Sequence, residues 1–187
     1  MDVQESLSNH LLIAMPGMLD PNFNSTVTLV CEHNAEGALG IVINRPMNMN
    51  LGGLLEQLSL DRTAKAIANA PVLDGGPVGR ERGFVLHKPH GTFETSVAVS
   101  NDIQLTLSRD VLDAMAAGTG PDKVLVALGY AGWEPGQLEM EMLQNTWLSV
   151  PANPEIIFDV PFNERWTVAA KIIGVDISQM SSHVGHA

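Results

Sequence analysis

The sequence predicts a mixed α/β protein: a layered α-β-α fold with a mixed sheet and a smaller αβ sub-lobe. Three observations predict it. Short β-prone runs and helical runs interleave along the chain. Two of the β-prone runs, Leu39–Ile43 and Val124–Leu128, are apolar throughout rather than alternating, the pattern of strands covered on both faces. Several such runs also follow one another with no helix between them, which purely parallel winding does not permit. At 187 residues, with 45% apolar and 17% charged side chains, the chain can build one substantial core. Residues 1–187 read as one domain, and the turn-rich stretch at about 46–100 reads as the sub-lobe.

Taken in order, strands are expected at His10–Met15, Thr26–Cys31 and Leu39–Ile43. Asn50 can cap a helix whose Leu51, Leu54, Leu55 and Leu58 form a stripe, although Gly52 and Gly53 weaken it. Asp61 can cap a short Ala-rich helix that stops before Pro71. Strands follow at Val72–Leu73, Gly83–His87 and Ser96–Val99. Ser108 is expected to cap the next helix, which Gly118 ends. After the Val124–Leu128 strand, Pro135 stands as the first position of a helix reaching about Asn145. Short strands are expected at Trp147–Val150 and Ile156–Phe158, and a last helix at Asn163–Ile173, stopped by Gly174.

Charge narrows the function. The chain carries 21 Asp and Glu against 10 Lys and Arg, a net charge of -11. Binding to nucleic acid rests on clustered Lys and Arg, so direct nucleic-acid binding is disfavoured. The acidic N-terminus and the short apolar runs give no export signal and no membrane span, so a cytoplasmic location is expected. A lone cysteine, Cys31, rules out a disulfide framework. No cofactor and no metal site is expected, since His10, His33, His87, His90, His183 and His186 lack metal-ligand spacing.

Three groups of residues could carry chemistry. The first is the passage from a buried strand through Gly129, Tyr130, Gly132 and Trp133 into a helix, the position where open α/β sheets hold ligands. It matches neither a dinucleotide fingerprint nor a Walker loop, and the simpler reading of its glycines is a tight turn and close strand–helix packing with Trp133 as a core plug. On the helix that follows, Gln137, Glu141, Gln144 and Asn145 form the polar arc, while Glu139 falls within the apolar one. An inward carboxylate needs a partner; Arg45, Arg165 and His33 are the candidates. Alternatively, Glu139 only complements the helix N-terminus. The second group is Cys31 and His33, placed on one strand face by alternation, a weak nucleophile arrangement beside the simpler reading of a buried thiol and a hydrogen-bonded imidazole. The third is Gly75-Gly76 with Arg82, a candidate anion turn; without a following helix, the favoured reading is a connector feeding the Gly83–His87 strand.

The motifs in order are Leu12-Ile13-Ala14-Met15-Pro16, Asp20-Pro21-Asn22-Phe23, Cys31-Glu32-His33-Asn34, Asn44-Arg45-Pro46, Gly75-Gly76-Pro77-Val78, Leu128 through Trp133, Gly136-Gln137-Leu138-Glu139 and Asn145-Thr146-Trp147-Leu148. Together they resemble the YqgE/AlgH family of bacterial proteins over essentially the whole chain. The resemblance implies a cytoplasmic α/β protein with a larger three-layer unit and a smaller lobe. One branch of that family takes its name from a proposed role in regulating alginate synthesis, whence the label of transcriptional regulator. The resemblance brings no agreed reaction, cofactor or catalytic set.

The expected function is therefore a regulatory or ligand/protein-binding module whose partner is an unidentified protein or small molecule. Its candidate pocket comprises His33, Asn44, Arg45, Gly129, Tyr130, Trp133, Gln137 and Glu139. The alternatives are an enzyme using Glu139 and His33 as acid and base in that cleft, and a direct transcriptional regulator.

Overall fold

The computed structural model describes residues 5–60 and 65–175. Asp61, expected as a helix cap, and the tail bearing His183 and His186 lie outside them. The strands are β1 (His10–Ala14), β2 (Val27–Asn34), β3 (Gly37–Val42), β4 (Pro46–Asn50), β5 (Pro71–Asp74), β6 (Val78–His87), β7 (Ser96–Ala98), β8 (Gln104–Thr106), β9 (Val124–Trp133) and β10 (Trp147–Pro151). The helices are α1 (Leu51–Gln57), α2 (Lys65–Ala68), α3 (Asp110–Ala117), α4 (Gln137–Leu143), α5 (Pro154–Phe158) and α6 (Arg165–Ile172), the last entered through a 3-10 turn at Phe162–Glu164. Among the described residues no helix is long and apolar enough to cross a membrane.

The fold is mixed α/β, with one sheet ordered β10-β1-β2-β3-β9-β6-β8-β7. Every pairing on that path is antiparallel; β5 joins β9 in parallel and pairs β4 on its other side. The long β9 is the hub: its end (Ala131–Trp133) pairs β3, its middle (Ala127, Leu128) pairs β5, and much of its length pairs β6.

Strand alternation separates the core into clusters. Leu125 and Ala127 of β9 join Phe84 and Leu86, whereas Val126 packs with Val85, Val72 and the apolar sides of α1 and α3. Likewise Leu11 and Ile13 of β1 meet Ile156, Ile157, Ala169 and Ala170 of α5 and α6, whereas Leu12 and Ala14 meet Trp133, Leu138 and Trp147. Helices therefore cover both faces of β1, and this accounts for its run of four fully buried residues.

Several local expectations need correction. Ile156–Phe158 is helical: Asn153 accepts the Glu155 N–H at 2.9 Å and Pro154 opens the helix, so the start signals outweigh the β-branched pair that follows. Ser108 does not cap α3; its hydroxyl donates to Asp110 Oδ1 and accepts the Thr95 N–H, and Arg109 occupies the cap position. Asn50 does cap α1, accepting the Gly53 N–H at 2.8 Å. Helix α4 starts at Gln137 rather than Pro135, because Gly136 before it is left-handed with φ 78°. Strands β4 and β8 were not expected at all.

Candidate functional site

His33 and Cys31 do not share a face. Val30 pairs Gly40 but Glu32 pairs Leu39, so Cys31 is the extra residue of a β-bulge. The bulge resets the alternation. Cys31 stays with Val27 and Leu29 in the cluster under α5 and α6, while His33 pairs Ala38, itself paired with Trp133, on the α4 side. Burial, with the nearby Glu32 charge, pushes the Cys31 thiol up to about 12, so at neutral pH it is a protonated core group.

The bulge aims His33 at helix α4, where its Nε2 lies 2.5 Å from Glu139 Oε1. Neither Arg45 nor Arg165 is the partner of Glu139. The other ring nitrogen, Nδ1, accepts the Leu7 N–H at 2.8 Å. That nitrogen must then be unprotonated, so the ring is neutral and its proton sits on Nε2, donated to the carboxylate. Burial works against an ionised Glu139, but its own backbone N–H and the His33 bond outweigh that and hold its carboxyl below the ordinary value.

Helical spacing divides the polar residues of α4. Glu139 points to His33, whereas Gln137 and Glu141, one turn apart, lie on another face. Glu141 Oε1 accepts two indole N–H groups, from Trp133 at 3.2 Å and Trp147 at 3.0 Å. Its Oε2 accepts the Gln137 amide at 3.1 Å, and Gln137 Oε1 in turn accepts the Glu134 N–H. The two indoles meet edge to face with centroids 6.3 Å apart, and Phe23 packs against both. Together with Met18 and Asp20 these groups line a cavity of about 270 Å³.

Asn44 and Arg45 do not line this cavity. Asn44 accepts the Val27 N–H and donates to the Ser25 carbonyl; Arg45 donates to the carbonyls of Asn22 and Asn24 and to Asn24 Oδ1. They pin the loop that delivers Phe23. Gly129 and Tyr130 belong elsewhere again, where the segment at Gly75 and Gly76 crosses β9. The Gly75 N–H donates to the Leu128 carbonyl, the Gly76 N–H to Asp74 Oδ1, and the Gly75 carbonyl accepts from Val42. The amides of the candidate anion turn are thus spent inside the chain, and Arg82 is exposed on β6. Of the eight pocket candidates, the structure brings His33 to Glu139 and Trp133 to Gln137. It does not bring all eight into one cleft.

Three groups were missed as site residues: Glu141, Trp147 and Phe23. The Gln137–Glu141 spacing was legible, but nothing local indicates that indoles from two different strands converge on one carboxylate. Among the described residues, no three His, Cys, Asp or Glu side chains gather as a metal site requires.

A second buried imidazole, His87, bears on stability in acid. His87, fully buried, faces the Lys88 carbonyl through Nδ1 at 2.8 Å and the Thr106 hydroxyl through Nε2 at 2.7 Å. Burial drives its pKa below the ordinary 6.5, partly opposed by the Lys88 carbonyl and reinforced by His90. The unfolded chain then binds a proton near 6.5 that the folded chain refuses, so this contribution to stability is whole above that pH and shrinks below it. Glu139 adds loss only below its unfolded value of 4.5. Melting temperature is expected to be flat between about pH 7 and 9, to fall above that as the unfolded Cys31 thiol, ordinarily near 9.0, gives up a proton the folded one keeps, and to fall from pH 6.5 towards 5; a tenfold difference in proton affinity between folded and unfolded chain is worth about 1.4 kcal/mol. His87→Gln should melt lower at pH 7 yet lose that slope. An unchanged slope in thermal unfolding by circular dichroism would assign the acid sensitivity to other groups.

The comparisons agree with one another. A family model described as AlgH-like (DUF179) matches residues 11–178. A UPF0301 protein of Nitrosococcus oceani is 50% identical over 179 residues, covering 96% of this chain and 96% of its own. The solution structure of the AlgH protein from Pseudomonas aeruginosa superposes with a TM-score of 0.80 at 47% identity, covering 100% of this chain and 99% of that one. A crystal structure of protein DIP2367 from Corynebacterium diphtheriae, 20% identical with a TM-score of 0.74 over 97% of this chain and 94% of its own, shares the fold. On sequence and on structure alike, the chain belongs to the AlgH-like family of UPF0301 proteins.

Proposed function

We propose that the protein is a regulatory or ligand/protein-binding module of the cytoplasm, and not an enzyme working through Glu139 and His33. One observation carries the reading: both ring nitrogens of His33 are already engaged, Nδ1 by the Leu7 N–H and Nε2 by Glu139. A general base needs a free lone pair facing substrate, and a general acid needs a proton not committed to a carboxylate. The neighbouring cavity between Phe23, Trp133, Trp147 and Glu141 has the aromatic walls and few oriented polar groups of a ligand site. We attach to this reading a layered α-β-α unit with the sub-lobe at about 46–100, and a net charge of -11 that keeps direct nucleic-acid binding disfavoured. Any part in transcription is then played through a partner or a small ligand.

The chain has three tryptophans, and this makes the test direct. In ¹H–¹⁵N spectra recorded with a fragment library, ligands are expected to move the indole signals of Trp133 and Trp147. That of Trp166, whose indole N–H donates to the Ala14 carbonyl, serves as the internal reference. Glu139→Gln should leave those affinities unchanged. A library that moves neither indole would sink the reading, and a fragment consumed by the wild type but not by Glu139→Gln would restore the enzyme.

A further inference from the structure

The ligand class of the aromatic cavity follows from its charges. Two charged side chains line it, Asp20 and Glu141, and both are acids. Glu141 is oriented rather than neutralised: its donors are two indoles and an amide, all uncharged. A carboxylate offers about four lone-pair sites, and these three bonds leave one on Oε2. Asp20 Oδ1 accepts the Asn22 N–H, and the Asp20 carbonyl accepts from Phe23 and Asn24, so the rim carboxylate is held in place by its own turn. The walls are the rings of Phe23, Trp133 and Trp147 and the thioether of Met18. An anion entering here would meet two like charges across aromatic walls. A cation would find a fixed acceptor, a second carboxylate and the partly exposed Phe23 ring, while the indoles behind it are nearly buried. At about 270 Å³ the cavity lies just below the usual range for ligand pockets, so it suits a small group with one head.

Resting on the reading that this cavity is the binding site, we infer that it takes a cationic nitrogen, a primary ammonium carried on a short apolar stem. The ammonium meets Oε2 of Glu141, whose Oε1 accepts both indole N–H groups, and the stem lies against Phe23 and Met18. The same head occurs on free alkylamines and on lysine side chains of a partner protein.

The experiment compares three probes of one skeleton, n-butylammonium, n-butanol and n-butyrate, by the indole signals of Trp133 and Trp147 with Trp166 as reference. Butylammonium is expected to move the first two, butanol to move them more weakly, and butyrate to leave them unchanged. Glu141→Gln keeps an oxygen for both indoles and should weaken butylammonium about fivefold to tenfold, the worth of one partly buried charge pair. Asp20→Asn leaves the indole bonds untouched and should weaken it about twofold, so the test survives if the Glu141 variant folds poorly. N-acetyl-lysine amide separates the sources: tighter binding than butylammonium assigns the head to a protein side chain, weaker binding to a free amine. Equal shifts from butyrate or butanol would overturn the cationic class while leaving the cavity a binding site. If none of the three probes moves the indoles, the inference falls, and the fragment library then decides the binding reading separately.

Discussion

Arg165→Ala is expected to cost about 3–5 kcal/mol, a large share of the roughly 5–15 kcal/mol that holds a domain together. Arg165 opens α6, yet its side chain is only 2% exposed. It runs inward to donate from Nε to the Val160 carbonyl at 2.8 Å and from Nη1 to the Ile43 carbonyl at 2.5 Å, with the guanidinium carbon 4.3 Å from the centre of the Phe162 ring. Burial pulls its pKa down to about 10, and the Asp159 charge offsets only part of that. Even so, the group stays protonated at any physiological pH. Truncation would leave the buried Ile43 carbonyl without its donor, open a cavity, and untie α6 from the end of β3. Arg165→Met retains much of the apolar stem and should recover part of the loss, which separates packing from hydrogen bonding. Urea unfolding measures both variants. A loss below about 1 kcal/mol in the alanine variant would mean that the two bonds to carbonyls contribute nothing net.

Gly76→Ala should be at least as damaging, above about 3 kcal/mol, and is expected to abolish soluble protein at 37 °C. Two effects coincide at this residue. Its φ of 149° is one that side-chain-bearing residues rarely adopt, and a Cβ there would lie 2.2 Å from the Tyr130 carbonyl carbon. The obstacle is the backbone of β9, the hub strand, so no side chain can rotate away. The clash is mutual, since a Cβ on Gly129 would lie 2.4 Å from the Gly76 carbonyl oxygen. Gly83→Ala is the control: no atom lies within 4 Å of its added Cβ and its φ is not positive, so a change within about 1 kcal/mol is expected. Equal yields and equal midpoints for the two variants would show that the Gly75–Gly76 segment does not cross β9 so closely.

Much of this molecule could be read locally. The unbroken apolar runs at Leu39–Ile43 and Val124–Leu128 became parts of β3 and β9, as strands buried on both faces must read, and the leucine stripe behind Asn50 became α1. Local signals also account for the error at Ile156–Phe158, where Asn153 and Pro154 outweighed two isoleucines. The family, too, was legible, because its motifs are short runs of neighbours such as Asn44-Arg45-Pro46.

What sequence alone determined, then, was the class of the fold, the residues competent to form each element, and the anomaly of a carboxylate, Glu139, in an apolar arc of α4. Tertiary structure decided which residues meet. A single extra residue at Cys31 turned His33 from one side of the sheet to the other, and alternation cannot show this because a bulge is defined by the partner strand. The three pairings of β9 depend on closing loops between distant segments, and so does the meeting of Trp133 and Trp147 on Glu141. Periodicity carries information over one turn or one pleat; the convergence of a site is set by register and loop closure across the whole sheet.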